Sequence, residues 1–143
     1  MNFTIYKMSA ESNKILIKRL FNDVLNRNNP DSINQIIIED YTEQDLMDKQ
    51  SQGLNGVKER LEMLFIAFPD AVYELQDIIA DENKAAARWK MTGTHKGIFL
   101  NIPPTLNCVS LKGIDIYEIK NDKIVSHWNE MDMFCLLNQI KNV

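Results

Sequence analysis

The chain is short of the residues that build metal and disulfide sites. Cys108 and Cys135 are the only cysteines among 143 residues. They lie far apart and outside any C-x-x-C spacing, so neither a disulfide framework nor a thiolate zinc site is expected. Each thiol reads as a small buried hydrophobe. The two histidines, His95 and His127, stand in no H-x-x-H or H-E-x-x-H spacing, which leaves no metal-ligand pattern. The G-x-G-x-x-G, G-x-x-x-x-G-K and G-x-S-x-G signatures are missing as well. Dinucleotide, phosphate-loop and serine-nucleophile chemistry therefore lack their usual carriers, and no cofactor or metal is expected.

Clustered positive charge is also missing. The formal net charge is -4 and no run of Lys and Arg forms a stripe, so the electrostatic attraction behind most nucleic-acid binding is absent. No apolar run approaches the roughly 20 residues that cross a bilayer. The opening MNFTIYKMSA lacks the apolar core of a signal peptide, so the expectation is a cytoplasmic protein with neither nucleic acid nor membrane as partner. No internal repeat or low-complexity tract occurs.

What is present is an ordinary globular composition, 45% hydrophobic and 25% charged, at a length that suits one domain over residues 1–143 with a single core. The first half is helical. Ser9 is a candidate N-cap with Glu11 in the first turn, and Leu16, Ile17, Leu20, Phe21, Val24 and Leu25 recur at helical spacing. Asn28-Asn29-Pro30-Asp31 breaks that helix and caps a short second one carrying Ile33, Ile36 and Ile37. Residues 39–53 are polar and acidic and read as an irregular excursion. A third helix, capped by Asn55, places Val57, Leu61, Leu64, Phe65 and Phe68 on one face and ends at Pro69.

The second half changes to strand-like composition over residues 71–80, 84–95, 107–120 and 123–133, separated by turn residues and by a longer loop containing Pro103-Pro104. A closing apolar run, Phe134, Leu136, Leu137 and Ile140, suggests a short C-terminal helix, with Asp132 as its cap. Helices followed by consecutive antiparallel strands predict an α+β domain. Strands this long must curl, and a strongly curved antiparallel sheet packed against N-terminal helices leaves a cone-shaped cavity with a central pocket for a small molecule.

Strand parity then selects the residues that face the pocket. Val109, Leu111, Gly113, Asp115, Tyr117 and Ile119 share one face of their strand, with Asp115 the outlier among apolar neighbours. Val125, His127, Asn129, Met131 and Met133 share one face of the next, and Ala87, Trp89, Met91, Gly93 and His95 one face of the strand from Lys84. A three-residue turn at Lys120-Asn121-Asp122 would pair Asp115 with His127 and Gly113 with Asn129, whereas a two-residue turn would set Asp115 opposite Trp128. The three-residue form is expected. A carboxylate beside an imidazole is a general acid/base pair working near neutral pH. Asn129 cannot take a proton but can donate to a carbonyl or enolate oxygen, and His95 enters from its strand end. Trp89 and Tyr117 with Met91, Leu111, Gly113 and Met131 form the wall, and Trp128 faces outward.

Several of these stretches together resemble one family. Gly93-Thr94-His95-Lys96-Gly97, Ile102-Pro103-Pro104-Thr105, Gly113-Ile114-Asp115-Ile116, Lys123-Ile124-Val125 and His127-Trp128, preceded by Gly56-Val57-Lys58 and Ala67-Phe68-Pro69-Asp70, are similar in order and spacing to SnoaL-like polyketide cyclases, also called ester cyclases. The resemblance implies the cone-shaped fold of nuclear transport factor two, a homodimer formed through the outer sheet face, and aldol ring closure without metal or cofactor. It also implies an acid/base carboxylate two residues after the last-strand histidine, where this sequence has Asn129. The family's histidine on the preceding strand corresponds here to Asp115. Three readings follow: a cofactor-independent cyclase, isomerase or hydrolase using Asp115 and His127; a non-catalytic small-molecule binding or sensing module; and a dimerising module whose pocket is filled by Trp89, Met91, Tyr117 and Met131.

Overall fold

A computed structural model of the chain describes residues 8–47 and 49–142; the start of the stretch read for an export signal lies outside them. Ser9 caps the first helix, α1 (Ala10–Arg19), through a reciprocal pair of bonds with Ser12. A π-helical continuation, Leu20–Leu25, keeps Leu20, Phe21 and Val24 buried. After a 3₁₀ turn over Pro30–Gln35 the chain enters a strand, β1 (Ile37–Glu43), then a second helix, α2 (Gly53–Ala67). Four strands follow, β2 (Val72–Ala80), β3 (Lys84–Thr94), β4 (Cys108–Lys120) and β5 (Lys123–Met131), and helix α3 (Met133–Lys141) closes the chain. Asp132 caps α3 by accepting from the Cys135 N–H at 3.0 Å. None of these helices is long and apolar enough to cross a membrane.

The α+β expectation holds. One five-stranded sheet in the order β1-β5-β4-β3-β2 curls around the helices, and alternation along β3 and β4 turns Ala85, Ala87, Trp89 and Met91, with Val109, Leu111, Asp115 and Tyr117, toward them. Opposite the sheet, Leu16, Ile17, Phe21, Val24 and Leu61 complete the core. Ala85 and Ala87 lie across from Tyr117 and Asp115. Their small side chains leave room for the polar groups described below.

Three expectations are corrected. The acidic excursion at 39–53 begins as strand: Ile37 belongs to β1, which lies parallel to β5 with Glu43 beside His127. Acidic side chains hid this strand, because only Ile37, Tyr41 and Glu43 of it are buried. The β4–β5 turn has two residues, Asn121 and Asp122, both left-handed (φ 50° and 57°). A bulge leaves Val125 unpaired between the Glu118–Ser126 and Ile119–Ile124 pairs. The bulge restores the parity that a two-residue turn alone would have lost, but shifts the register by one pair. Asp115 therefore lies opposite Asn129, Tyr117 opposite His127 and Gly113 opposite Met131. Cys108 and Cys135 are exposed rather than buried.

Candidate functional site: a charged cluster on the wall of an apolar cavity

Between sheet and helices lies a cavity of about 120 Å³. Its wall is apolar over most of its extent, with Leu20, Phe21, Leu61, Trp89, Met91 and Leu111 among the lining residues. The exception is a patch formed by Tyr41, Glu43, Arg60, Asp115, Tyr117, His127 and Asn129.

His127 is the centre of that patch. Its Nδ1 lies 3.1 Å from Glu43 Oε2 and its Nε2 3.3 Å from Asp115 Oδ1. The second contact is an ion pair too oblique for a good hydrogen bond, since Nε2 has no hydrogen-bond partner among the described residues. The imidazole also stacks on Tyr117, with centroids 4.9 Å apart and planes within 10°. Burial alone would favour the neutral ring; the hydrogen bonds and charges of Asp115 and Glu43 outweigh it and push the His127 pKa up to about 9. At neutral pH the ring is an imidazolium. This departs from the expectation of an acid/base pair titrating near pH 7, and the cause is the second carboxylate, Glu43.

The carboxylates are stabilised in turn. Burial raises the Asp115 pKa, but His127, the Asn129 amide and the Tyr117 hydroxyl, which donates to Oδ2 at 2.8 Å, together hold it below the usual range. Glu43 is lowered in the same way, against burial, by His127, the Tyr41 hydroxyl at 2.8 Å and Arg60. Both tyrosine hydroxyls are driven upward by burial and by these carboxylates, so they remain donors. Arg60 reaches in from α2, donating from Nη2 to Asn129 Oδ1 at 3.0 Å and standing 3.7 Å from Glu43 Oε2. Asn129 is thus fixed on both sides: it donates to Asp115 and accepts from Arg60, while Asp45 holds its backbone N–H at 2.7 Å. Two carboxylates face two cations, and the buried cluster is formally neutral.

Asp115, His127, Asn129, Trp89, Met91, Leu111, Tyr117 and Met131 all line the cavity. His95 and Gly113 do not. His95 is fully buried but sits at the far end of β3, packed on Phe68 and joined through Nδ1 to the Thr105 hydroxyl at 3.0 Å. Gly113 is covered by Trp89: a Cβ there would stand 2.4 Å from Cζ2 of the indole. Tyr117 is more than wall, since it both stacks on His127 and donates to Asp115. Trp128 points outward, beneath the Lys84 ammonium. The sequence reading missed Glu43, Arg60 and Tyr41. The alternation of Tyr41 and Glu43 was the available signal for the two on β1; Arg60, on a helix face, had none. Among the described residues no group of His, Cys, Asp and Glu is arranged to hold a metal ion.

Comparison with known proteins places this arrangement. No curated protein matches the chain. Among solved structures it is similar to TsrD from Streptomyces laurentii, at 23% identity and TM-score 0.84 over 93% of this chain and 97% of that one. It is also similar to AclR from Streptomyces galilaeus, described as a candidate hydroxylase, at 27% identity and TM-score 0.82 over 94% and 99%. A candidate SnoaL-like polyketide cyclase from Jannaschia sp. CCS1 shares the fold at 15% identity, TM-score 0.85 and 94% of each chain. The family model for SnoaL-like polyketide cyclases matches residues 15–140, and the chain belongs to that family.

Proposed function

We propose that this protein is a cofactor-independent acid–base enzyme acting on a small, largely apolar organic molecule, with aldol-type ester or polyketide cyclisation the reaction class its family membership favours. The observation that carries the proposal is an imidazolium held between two carboxylates on the wall of an otherwise apolar cavity. Asp115 is the proton acceptor: Asn129 donates to Oδ1, which also faces the His127 ring as an ion pair, and Tyr117 donates to Oδ2, while a carboxylate has about four acceptor positions. Those donors make it a weak base. The reaction therefore depends on the neighbouring cation, His127, to stabilise negative charge that develops on the substrate oxygen. Asn129, at the position where the resemblance implies a carboxylate, holds Asp115 and Arg60 in register and takes no proton.

A non-catalytic binding module is the second reading, favoured by the pairing of both polar atoms of the Asn129 amide with Asp115 and Arg60. The two separate on one experiment. Enolisable aromatic keto esters are incubated with the protein in D2O and followed by mass spectrometry. Acid–base chemistry predicts deuterium at the carbon next to the carbonyl, lost in Asp115→Asn; saturable binding without exchange in any probe would establish the binding module instead. We further propose a cytoplasmic homodimer paired through the outer sheet face, where Ile114 and Ile116 are exposed. Light scattering that gives a monomer at micromolar concentration would rule the dimer out.

A further inference from the structure

Tyr41, Tyr73 and Tyr117 all line the cavity, and their hydroxyls differ. Tyr41 donates to Glu43 and Tyr117 to Asp115, each at 2.8 Å. The bonds of Tyr73, on β2, run only through its backbone, whose N–H and C=O pair with the Asn26 side chain at 2.7 and 2.8 Å. Among the described residues its hydroxyl has no partner. The ring is nonetheless fixed, edge-on to Phe21 and tilted against Trp89, with centroids 6.5 and 6.1 Å away, and the residue is only 8% exposed. Other wall residues carry unpaired polar atoms too, but Arg60 Nη1, Trp89 Nε1 and His127 Nε2 are sealed beneath their neighbours. The Tyr73 hydroxyl is not among the sealed atoms; it keeps surface of its own on a side chain that faces the cavity.

A buried hydroxyl without a partner costs stability, and phenylalanine would fill the same space between Phe21 and Trp89 without that cost. A fixed, open and unpaired hydroxyl on a cavity wall points to a partner that arrives from outside. Its place matters as much as its state. β2 is the edge of the sheet opposite β1, so Tyr73 stands away from the patch around His127. Burial pushes its pKa up to about 12, with the Arg60 charge opposing and the Asp115 charge assisting. At neutral pH the group therefore keeps its proton and can donate it.

We propose that Tyr73 is a specificity-determining residue, whose hydroxyl donates a hydrogen bond to an oxygen at the end of the ligand remote from the Asp115–His127 patch. The ligand is then two-ended: a reacting group meets the patch, an apolar body fills the middle, and a second oxygen is read on β2. This rests on the reading of the cavity as a ligand site, and it gives Tyr73 no part in proton transfer.

The test uses anisole and ethylbenzene, which differ by one ether oxygen in place of a methylene and suit a cavity slightly smaller than the ~150 Å³ engineered cavity that takes up benzene. Both are titrated at pH 7 into the full chain and followed by NMR shifts. Anisole is expected to bind about fivefold more tightly, the worth of one neutral hydrogen bond. In Tyr73→Phe the two should bind equally, and that variant should melt no lower than the wild type because no bond of the free protein is lost. Equal binding to the wild type, a preference for anisole that survives in Tyr73→Phe, or a lowered melting temperature of the variant would each overturn the assignment and leave the ligand site standing. Binding of neither probe would overturn both. No turnover is needed, so a protein that fails the deuterium exchange assay can still pass this one.

Discussion

Replacing His127 by Phe removes the cation and both N–H groups while leaving a ring to stack on Tyr117. The size of the effect follows from the pKa. The folded value of about 9 lies above the ordinary 6.5, and at 1.36 kcal/mol per unit that difference is worth roughly 3 kcal/mol. Breaking a buried ion pair by removing one partner costs about 3–5 kcal/mol, which is the same interaction seen from the carboxylates and is not added to the first figure. The sign with pH is fixed by linkage. A raised histidine pKa contributes stability fully below about pH 6.5 and loses it as pH climbs through about 9. Asp115 and Glu43, lowered in the wild type, contribute stability above the ordinary carboxylate range and lose it on acidification. In the variant their cation is gone and burial favours their neutral forms, so acid relieves the strain. The stability gap between wild type and His127→Phe should therefore be widest near about pH 6.5 and shrink toward both pH 5 and pH 10. Urea unfolding at those pH values measures it. The gap is the quantity to follow, because His95, whose pKa is lowered by burial, contributes equally to both proteins. A gap below about 1 kcal/mol at pH 7, or one that does not vary with pH, would refute the account of the cluster.

Asn129→Asp should place a second carboxylate against Asp115; a loss of about 1–3 kcal/mol at pH 7, largely recovered at pH 5, is expected in thermal melts. Tyr117→Phe removes the hydroxyl that donates to Asp115 Oδ2 and should cost about 1.5–3 kcal/mol in urea unfolding. Gly113→Ala pushes a methyl group into the Trp89 indole, and a loss of about 1–3 kcal/mol with altered tryptophan fluorescence is expected. Asp132→Ala uncaps α3 and should lower stability by about 1 kcal/mol without changing probe binding.

The architecture was legible because its signals are local. Helical spacing of Leu16, Phe21 and Val24, the strand alternation around Leu111 and Tyr117, and the turn residues at 81–83 each depend on a few neighbours. The candidate site was legible in its parity and not in its pairing. Odd-numbered residues face inward along β4 and along β5 from His127 onward, but before the bulge Ile124 and not Val125 lines the cavity; Asp115 meets Asn129 because a left-handed Asn121-Asp122 turn and a bulge at Val125 act together. Either device alone would have turned His127 away from Asp115. Alternation offered a signal for Glu43 on its strand, but what Glu43 and Arg60 meet was not legible, since their contacts with His127 and Asn129 span 84 and 69 residues of sequence, and no periodicity carries pairing over that distance. The parallel placement of β1 against β5 is what brings Glu43 to the imidazole, and with it the charge state changes from a ring titrating near neutrality to a fixed cation.

The most direct test of that cation is the ring nitrogen spectrum of His127. In 15N-labelled protein at pH 7 both nitrogens should carry protons, with titration centred near 9 and displaced downward in Glu43→Gln. A neutral His127 ring at pH 7, titrating at or below the ordinary histidine value, would contradict the imidazolium on which the proposed chemistry depends.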